Sequence, residues 1–390
     1  MSLRFLTSGE SHGRGLLVVV DGLPAGLPVS PEHLELALAR RRRGFGRGGR
    51  ASVERDETVV WGGLRDGRTT GGPVGISIAN TERELWDEAM NPWAINAEAA
   101  RTRAVTAPRP GHADLPGGVK FGHDDMRDVL ERASARSTAP RTVAGVLAAR
   151  MLEELGVSVR GAVESVGGVK ARMPERSEDW ARASMSELGA AFAEDEEAMR
   201  ERIVRADTEG DSLGGVFVVS VAGLPPGVGS FTEWDRRLDG LLGQALLSIP
   251  GIKGIEFGLG FDAADLPGSE VHDPIVVDGG RWTRPTNRSG GIEGGMSNGG
   301  EIIIRAAMKP IPTMKRGLPS YDLVSRSPCE GHVERSDVCA VPSACVVGEA
   351  MAAWTVACAV VEQFGGDRMD DLAQRFMLYR RRAEGWNLRA

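Results

Sequence analysis

APRPGHADLPGGVKFGHDDMRDVLERASARS, residues 107–137, changes its conformational rules halfway along. Pro108 and Pro110 fix φ and push the residue before each away from helical geometry. Gly111, Gly117 and Gly118 add backbone freedom that other residues resist. The first half is therefore expected to be non-helical, with His112 on a stiff loop beside Arg109 and Asp114. In the second half, Met126, Val129, Leu130 and Ala133 recur at three- and four-residue spacing, which predicts an amphipathic helix. Asp124 and Asp125 stand at its expected start, where acids suit the helix dipole. Arg132 and Arg136, four apart, should share one side of that helix. A loop carrying Arg and His, followed by a helix presenting two more Arg, can hold a multiply anionic ligand. A solvated loop and a surface helix is the alternative that this stretch alone leaves equally open.

Upstream, residues 3–8 and 14–20 read as strands joined by the turn Gly9-Glu10-Ser11-His12-Gly13. Ser30-Pro31-Glu32 is a helix start, with Ser as cap and Pro at the first helical position. That helix runs into Arg40, Arg41, Arg42 and Arg43, then into Gly44-Phe45-Gly46-Arg47-Gly48-Gly49. The glycines match G-x-G-x-x-G, but a helix precedes them where a dinucleotide fold needs a buried strand. An Arg-Gly loop folding over an anion is the better reading. Residues 53–61 and 73–79 read as strands, and 81–103 as a polar, Trp-containing loop with a short helix.

Downstream, residues 142–155 predict a helix stopped by Gly156. Residues 157–166, 215–221, 252–258 and 301–308 predict strands; 186–205, 234–247 and 343–364 predict helices. The glycine run Ser289–Gly300 lacks the order of a P-loop and reads as a hairpin. Arg335-Ser336 before the last of these helices echoes Arg136-Ser137, which suggests an internal pseudo-symmetry. Strands and helices without strict alternation argue an α+β fold.

Composition narrows the function. The 390 residues are 41% hydrophobic and 26% charged, enough for a large core and, by length, two or three domains. The net charge of −7 argues against a general nucleic-acid surface. Five of the 47 basic residues are Lys, so single arginines carry little weight, whereas Arg grouped with Gly or His carries more. Cys329, Cys339, Cys345 and Cys358 form no Cys-x-x-Cys pair, which excludes a zinc ribbon and favours reduced thiols in the cytoplasm. The apolar stretch 340–364 contains Glu349 and Glu362 and reads as a buried helix rather than a membrane span. No metal-ligand spacing stands out.

His12 and His112, both in Gly-bounded loops, are candidates for proton transfer. Arg41, Arg47, Arg109, Arg136 and Arg335 stand near Gly, Pro or helix boundaries, and their bidentate guanidinium groups suit carboxylate and phosphate oxygens. In Lys309-Pro310-Ile311-Pro312-Thr313 the two prolines hold an extended track on which Lys309 and Thr313 can grip a cofactor. Asp337 offers an acid at a helix entrance.

Together these segments, with Arg132-Ala133-Ser134-Ala135-Arg136 and Gly290–Gly300, resemble the chorismate synthase family from residue 9 to residue 337. The resemblance implies conversion of 5-enolpyruvylshikimate 3-phosphate to chorismate with reduced FMN. It implies one catalytic domain over 1–390, two antiparallel β-sheets packed with helices, assembled as a homotetramer. It also implies residue roles. His12 serves the leaving phosphate, His112 the flavin N1–C2=O edge and Asp337 the flavin N5 proton. Arg41, Arg47, Arg109, Arg136 and Arg335 hold substrate. Arg132, Ala133, Ser134, Pro250, Gly251, Gly294, Lys309–Thr313 and Arg335 bind FMN. Pro250-Gly251 stands where relatives often have Asn-Ala, which removes a side-chain amide contact there. No nicotinamide motif is visible, which favours an external flavin reductant over self-reduction with NADPH. Two rivals, an Arg-Gly RNA-binding module on residues 40–50 and an NAD-dependent dehydrogenase, are disfavoured by the acidic charge, the 5% aromatic content and the misplaced glycine pattern.

Overall fold

The structure, a computed structural model, describes residues 2–47, 55–333, 337–384 and 386. Two antiparallel sheets enclose a layer of helices. The first sheet consists of β1 (Arg4–Gly9), β2 (Gly15–Asp21), β3 (Thr58–Gly62) and β4 (Val74–Ala79), in the order β1-β2-β4-β3. The second consists of β5 (Ser158–Val166), β6 (Val169–Lys170), β7 (Gly215–Ala222), β8 (Ile252–Phe257) and β9 (Ile302–Met308), in the order β8-β9-β7-β5-β6. Period-two patterning sets which face is buried. In β2, Leu16, Val18 and Val20 point into the core, while Leu17 and Val19 stay exposed on the outer face. The β1–β2 hairpin needs glycine at its corner. Gly9 has φ +100°, and a Cβ there would lie 2.2 Å from the Gly15 carbonyl oxygen.

The middle layer holds α1 (Pro31–Arg42), α4 (Thr138–Glu154) and α5 (Val341–Phe364); α2 (Asp114–Phe121) and α3 (Arg127–Ala133) lead into it. α4 packs on β2, α5 on β5 and β7, and α4 and α5 on each other. One apolar cluster runs through both sheets and these helices, including Leu16 and Ile76 on one side and Phe217 and Ile304 on the other. α5 is apolar and long enough to cross a membrane, but 94% of its most apolar window is buried in the fold, so it is the core helix that the sequence predicts.

α4 and α5 meet without room to spare. A Cβ on Gly145 would lie 2.4 Å from both the Cβ and the carbonyl oxygen of Ala350. Gly145→Ala should therefore force the helices apart. Overpacking of this kind typically costs about 1–3 kcal/mol, readable as a lower midpoint in urea; an unchanged midpoint would refute the close approach.

The central stretch departs from expectation in two ways. Residues 114–121 are helical despite Pro116, Gly117 and Gly118. Pro116 falls in the first turn, where its missing N–H has no intrahelical partner to lose. The glycines are there for space: a Cβ on Gly117 would lie 2.4 Å from Val129, and one on Gly118 would lie 2.5 Å from Met126. The predicted single helix through Arg136 also breaks. Ser134 is extended, its Oγ accepts from the Arg136 N–H, and a 3-10 turn begins. Arg132 and Arg136 consequently do not share a side. Arg132 donates outward to Thr7, whereas Arg136 is buried. The following helix starts at Thr138, four residues before its expected start. The expectations for Gly48, Gly49, the strand start at Val53 and Arg335-Ser336 fall outside the described residues.

Candidate active site

The N-termini of α4 and α5 open onto one cavity of about 760 Å³. Arg136 and Thr138 line it from the α4 end, Ser343 and Ala344 from the α5 end. Helix N-termini carry partial positive charge and unpaired N–H groups, so this end of the helix layer favours anions.

α1 delivers the first cation. Leu34, Leu38 and Arg41 are its buried residues, spaced so that Arg41 lies on the same buried stripe as the leucines. Its Nη2 lies 3.3 Å from Asp56 Oδ2, and Arg42 Nε lies 3.2 Å from the same oxygen. Arg136 Nη1 donates to Asp56 Oδ1. Arg47 reaches Asp337 at 3.0 Å and donates to Ser343 Oγ at 2.6 Å. Burial pulls the Arg41 guanidinium down to about 10, and Arg136 and Arg47 push the same way against Asp56. Burial alone would raise the Asp56 carboxyl, but Arg41, Arg136 and Arg42 override it and hold it below its ordinary value. Among the described residues, four guanidinium groups thus face two carboxylates. The Nε atoms of Arg41 and Arg47 are buried without a hydrogen-bond partner among the described residues. Both features suit an entering anion.

His12 lines the same cavity. Its ring stacks on Trp86, with centroids 4.0 Å apart, and Arg103 sits 4.2 Å from the Trp86 ring centre. His12 Nδ1 lies 2.7 Å from Glu131 Oε1, and the His12 N–H donates to Glu131 Oε2 at 2.6 Å. Glu131 is only 1% exposed. Asn80 ties this loop to the arginines: its amide donates to the Glu10 and Gly13 carbonyls, and its Oδ1 accepts from Arg136 Nε.

His112 has a similar support. Its Nδ1 lies 2.5 Å from Asp114 Oδ1 and 2.9 Å from Arg109 Nη2. Two donors cannot share one bond, so the shorter contact makes Nδ1–H the donor to the carboxylate. Arg109 donates to Asp114 through Nε and Nη2 and to Thr313 Oγ1 through Nη1. Burial would raise the Asp114 carboxyl, yet the hydrogen bonds from His112 and Arg109 hold it well below the usual carboxylate range.

The remaining wall is largely apolar. Ile249, Pro250, Met308, Pro310, Ile311 and Pro312 give an apolar surface for a ring, and the Lys309 N–H donates to the Gly251 carbonyl, joining the two segments. Burial lowers the Lys309 ammonium, and Lys253 on the same cavity pushes it further down, so a phosphate there would be welcome.

The cavity therefore collects His12, His112, Asp337, Arg41, Arg47, Arg109, Arg136, Ala133, Ser134, Pro250, Gly251 and the whole Lys309–Thr313 track. It does not collect the Arg132 side chain, which turns to Thr7, or Gly294, which sits in the Ile292–Ser297 hairpin region. Sequence reasoning missed Asp56, Asn80, Trp86 and Glu131. Glu131 had a signal, since it follows Leu130 and lies four residues after Arg127, its partner at 3.4 Å. Asp56 and Asn80 had none, because their partners lie far along the chain.

The chorismate synthase family model matches residues 3–361. The chorismate synthase of Moorella thermoacetica is 50% identical over 379 residues, covering 97% of this chain and 98% of that protein. That of Geobacillus kaustophilus is 47% identical, covering 98% and 100%. A crystal structure of chorismate synthase superposes with a TM-score of 0.79 at 36% identity, covering 98% of both chains.

Proposed function

The chain belongs to the chorismate synthase family, and from that premise we propose how its cavity carries out the family's reaction. The enzyme is a lyase that converts 5-enolpyruvylshikimate 3-phosphate to chorismate and phosphate by 1,4-anti elimination, the last common step towards the aromatic amino acids. The substrate carries one phosphate and two carboxylates. The observation that carries the assignment of this cavity is the grouping of Arg41, Arg42, Arg47 and Arg136 in the cavity that His12 also lines.

Arg41, Arg47 and Arg136 bind the anionic groups, with Arg109 completing the pocket and Arg335 assigned by family resemblance alone. His12 gives a proton to the phosphate as the C3–O bond breaks. Reduced FMN, when bound, supplies electron density to the allylic system during that departure. Ala133, Ser134, Pro250, Gly251 and Lys309 to Thr313 would hold it, and His112, oriented by Asp114, would serve its N1–C2=O edge. Asp337, steered by Arg47, would handle the proton at the flavin N5. The chain is one catalytic domain, in keeping with its continuous core. A homotetramer is its working form; the exposed apolar outer face of the first sheet, with Leu6, Leu17, Val19, Val59 and Trp61, supports assembly. An external reductant supplies the reduced flavin.

Anaerobic turnover tests the reading: chorismate should form only when substrate and reduced FMN are both present, and formation without flavin would overturn it. Arg47→Ala should mainly raise the substrate dissociation constant. A lost charge-assisted contact costs about 1.5–3 kcal/mol, roughly ten- to hundredfold in affinity. If the variant loses its fold instead, Arg47 is structural and its place among the substrate cations is wrong.

A further inference from the structure

We propose that Glu131 is the positioning residue for His12, fixing the tautomer and orientation of the ring that delivers a proton to the departing phosphate. The inference rests on the reading of His12 as that donor. Glu131 comes from α3 and is almost wholly buried, and it grips the histidine twice. One oxygen accepts the His12 backbone N–H at 2.6 Å, and the other lies 2.7 Å from Nδ1. A carboxylate only accepts, so the short contact requires a proton on Nδ1. The nitrogen that can then exchange a proton with the cavity is Nε2. Trp86 stacks against the ring and blocks its rotation, and the Ser11 N–H donates to the Glu131 carbonyl at 3.1 Å, locking loop to helix.

The step balances simply. The C3–O bond breaks and its electron pair stays on the phosphate oxygen. The Nε2 proton joins that oxygen. The ring is left neutral with Nδ1–H still donated to Glu131, and Glu131 remains a carboxylate throughout. Solvent reprotonates Nε2 before the next turnover.

Glu131→Gln separates this role from a merely structural one. The amide oxygen can still accept the His12 backbone N–H. At Nδ1, however, an acceptor is replaced by an N–H donor, which opposes both the Nδ1–H tautomer and the doubly protonated ring. Anaerobic single-turnover phosphate release should fall by about 10²-fold or more. Phosphate release by Glu131→Gln at the parent's rate would overturn the inference if His12→Ala is impaired. If His12→Ala is itself unimpaired, the donor reading fails and takes the inference with it.

A measurement on the unaltered protein covers the case in which Glu131→Gln does not fold. Protein labelled with ¹⁵N-histidine, with the His12 signals identified by their loss in His12→Gln, reports which ring nitrogen is protonated in the neutral form. A proton on Nδ1 supports the pairing, and a proton on Nε2 overturns it.

Discussion

Replacing His12 with alanine will slow anaerobic single-turnover phosphate release by about 10²–10⁴-fold, the usual contribution of a positioned acid. Phosphate leaving as a trianion is a poor leaving group, and a proton delivered during C–O cleavage improves it. The histidine is anchored by Glu131 and Trp86, so the affinity for reduced FMN should stay within about threefold of the parent. His12→Asn should not restore the rate, because an amide cannot carry the proton. Phosphate release within about threefold of the parent at every pH would place the proton source elsewhere.

Asp56→Asn will produce the largest loss of stability of any single change in the cavity wall. Asp56 is fully buried and is the common partner of Arg41, Arg42 and Arg136. Removing one partner of a buried ion pair typically costs about 3–5 kcal/mol, because the charges left behind stay buried. Denaturant unfolding would read this directly; a loss below about 1 kcal/mol would mean that the cluster behaves like exposed pairs. The pH dependence has a definite sign. The folded-state carboxyl of Asp56 lies below its ordinary value. Its stabilisation is therefore present above that ordinary value and disappears as the pH falls through the depressed one. Asp114 behaves alike. The asparagine variant should lose less stability than the parent over that acid range.

Local signals made much of this protein legible in its sequence. The apolar, β-branched run Leu16–Val20 and the Ser30-Pro31 start gave β2 and α1 close to their observed bounds. The glycine-bounded histidines and the Arg-Gly, Arg-Pro and Lys-Pro segments identified most of one cavity before any geometry was known. What escaped was non-local. Gly117 and Gly118 read as helix breakers until Val129 and Met126 are seen pressed against them. Ser134 ends a helix through a hydrogen bond that periodicity cannot register. Asp56 acquires its meaning from Arg136, and Glu131 from His12, and neither pairing leaves a spacing to find.

The contact between Gly145 and Ala350 has a consequence for biogenesis. α4 leaves the ribosome long before the helix that covers it, since synthesis proceeds at about 5–20 residues per second. Until Val341–Phe364 emerges, the inner face of α4 and the second sheet's apolar side lack their shared partner. The chain must therefore spend seconds with a large sticky surface uncovered, and the anion-binding pocket is completed only once Asp337 and the start of α5 have emerged. Such long-range pairing is intrinsically slow and exposed to aggregation. Ribosome-bound chains stalled before residue 341 should thus engage holdase chaperones and bind no ligand, whereas chains released after residue 384 should do the reverse.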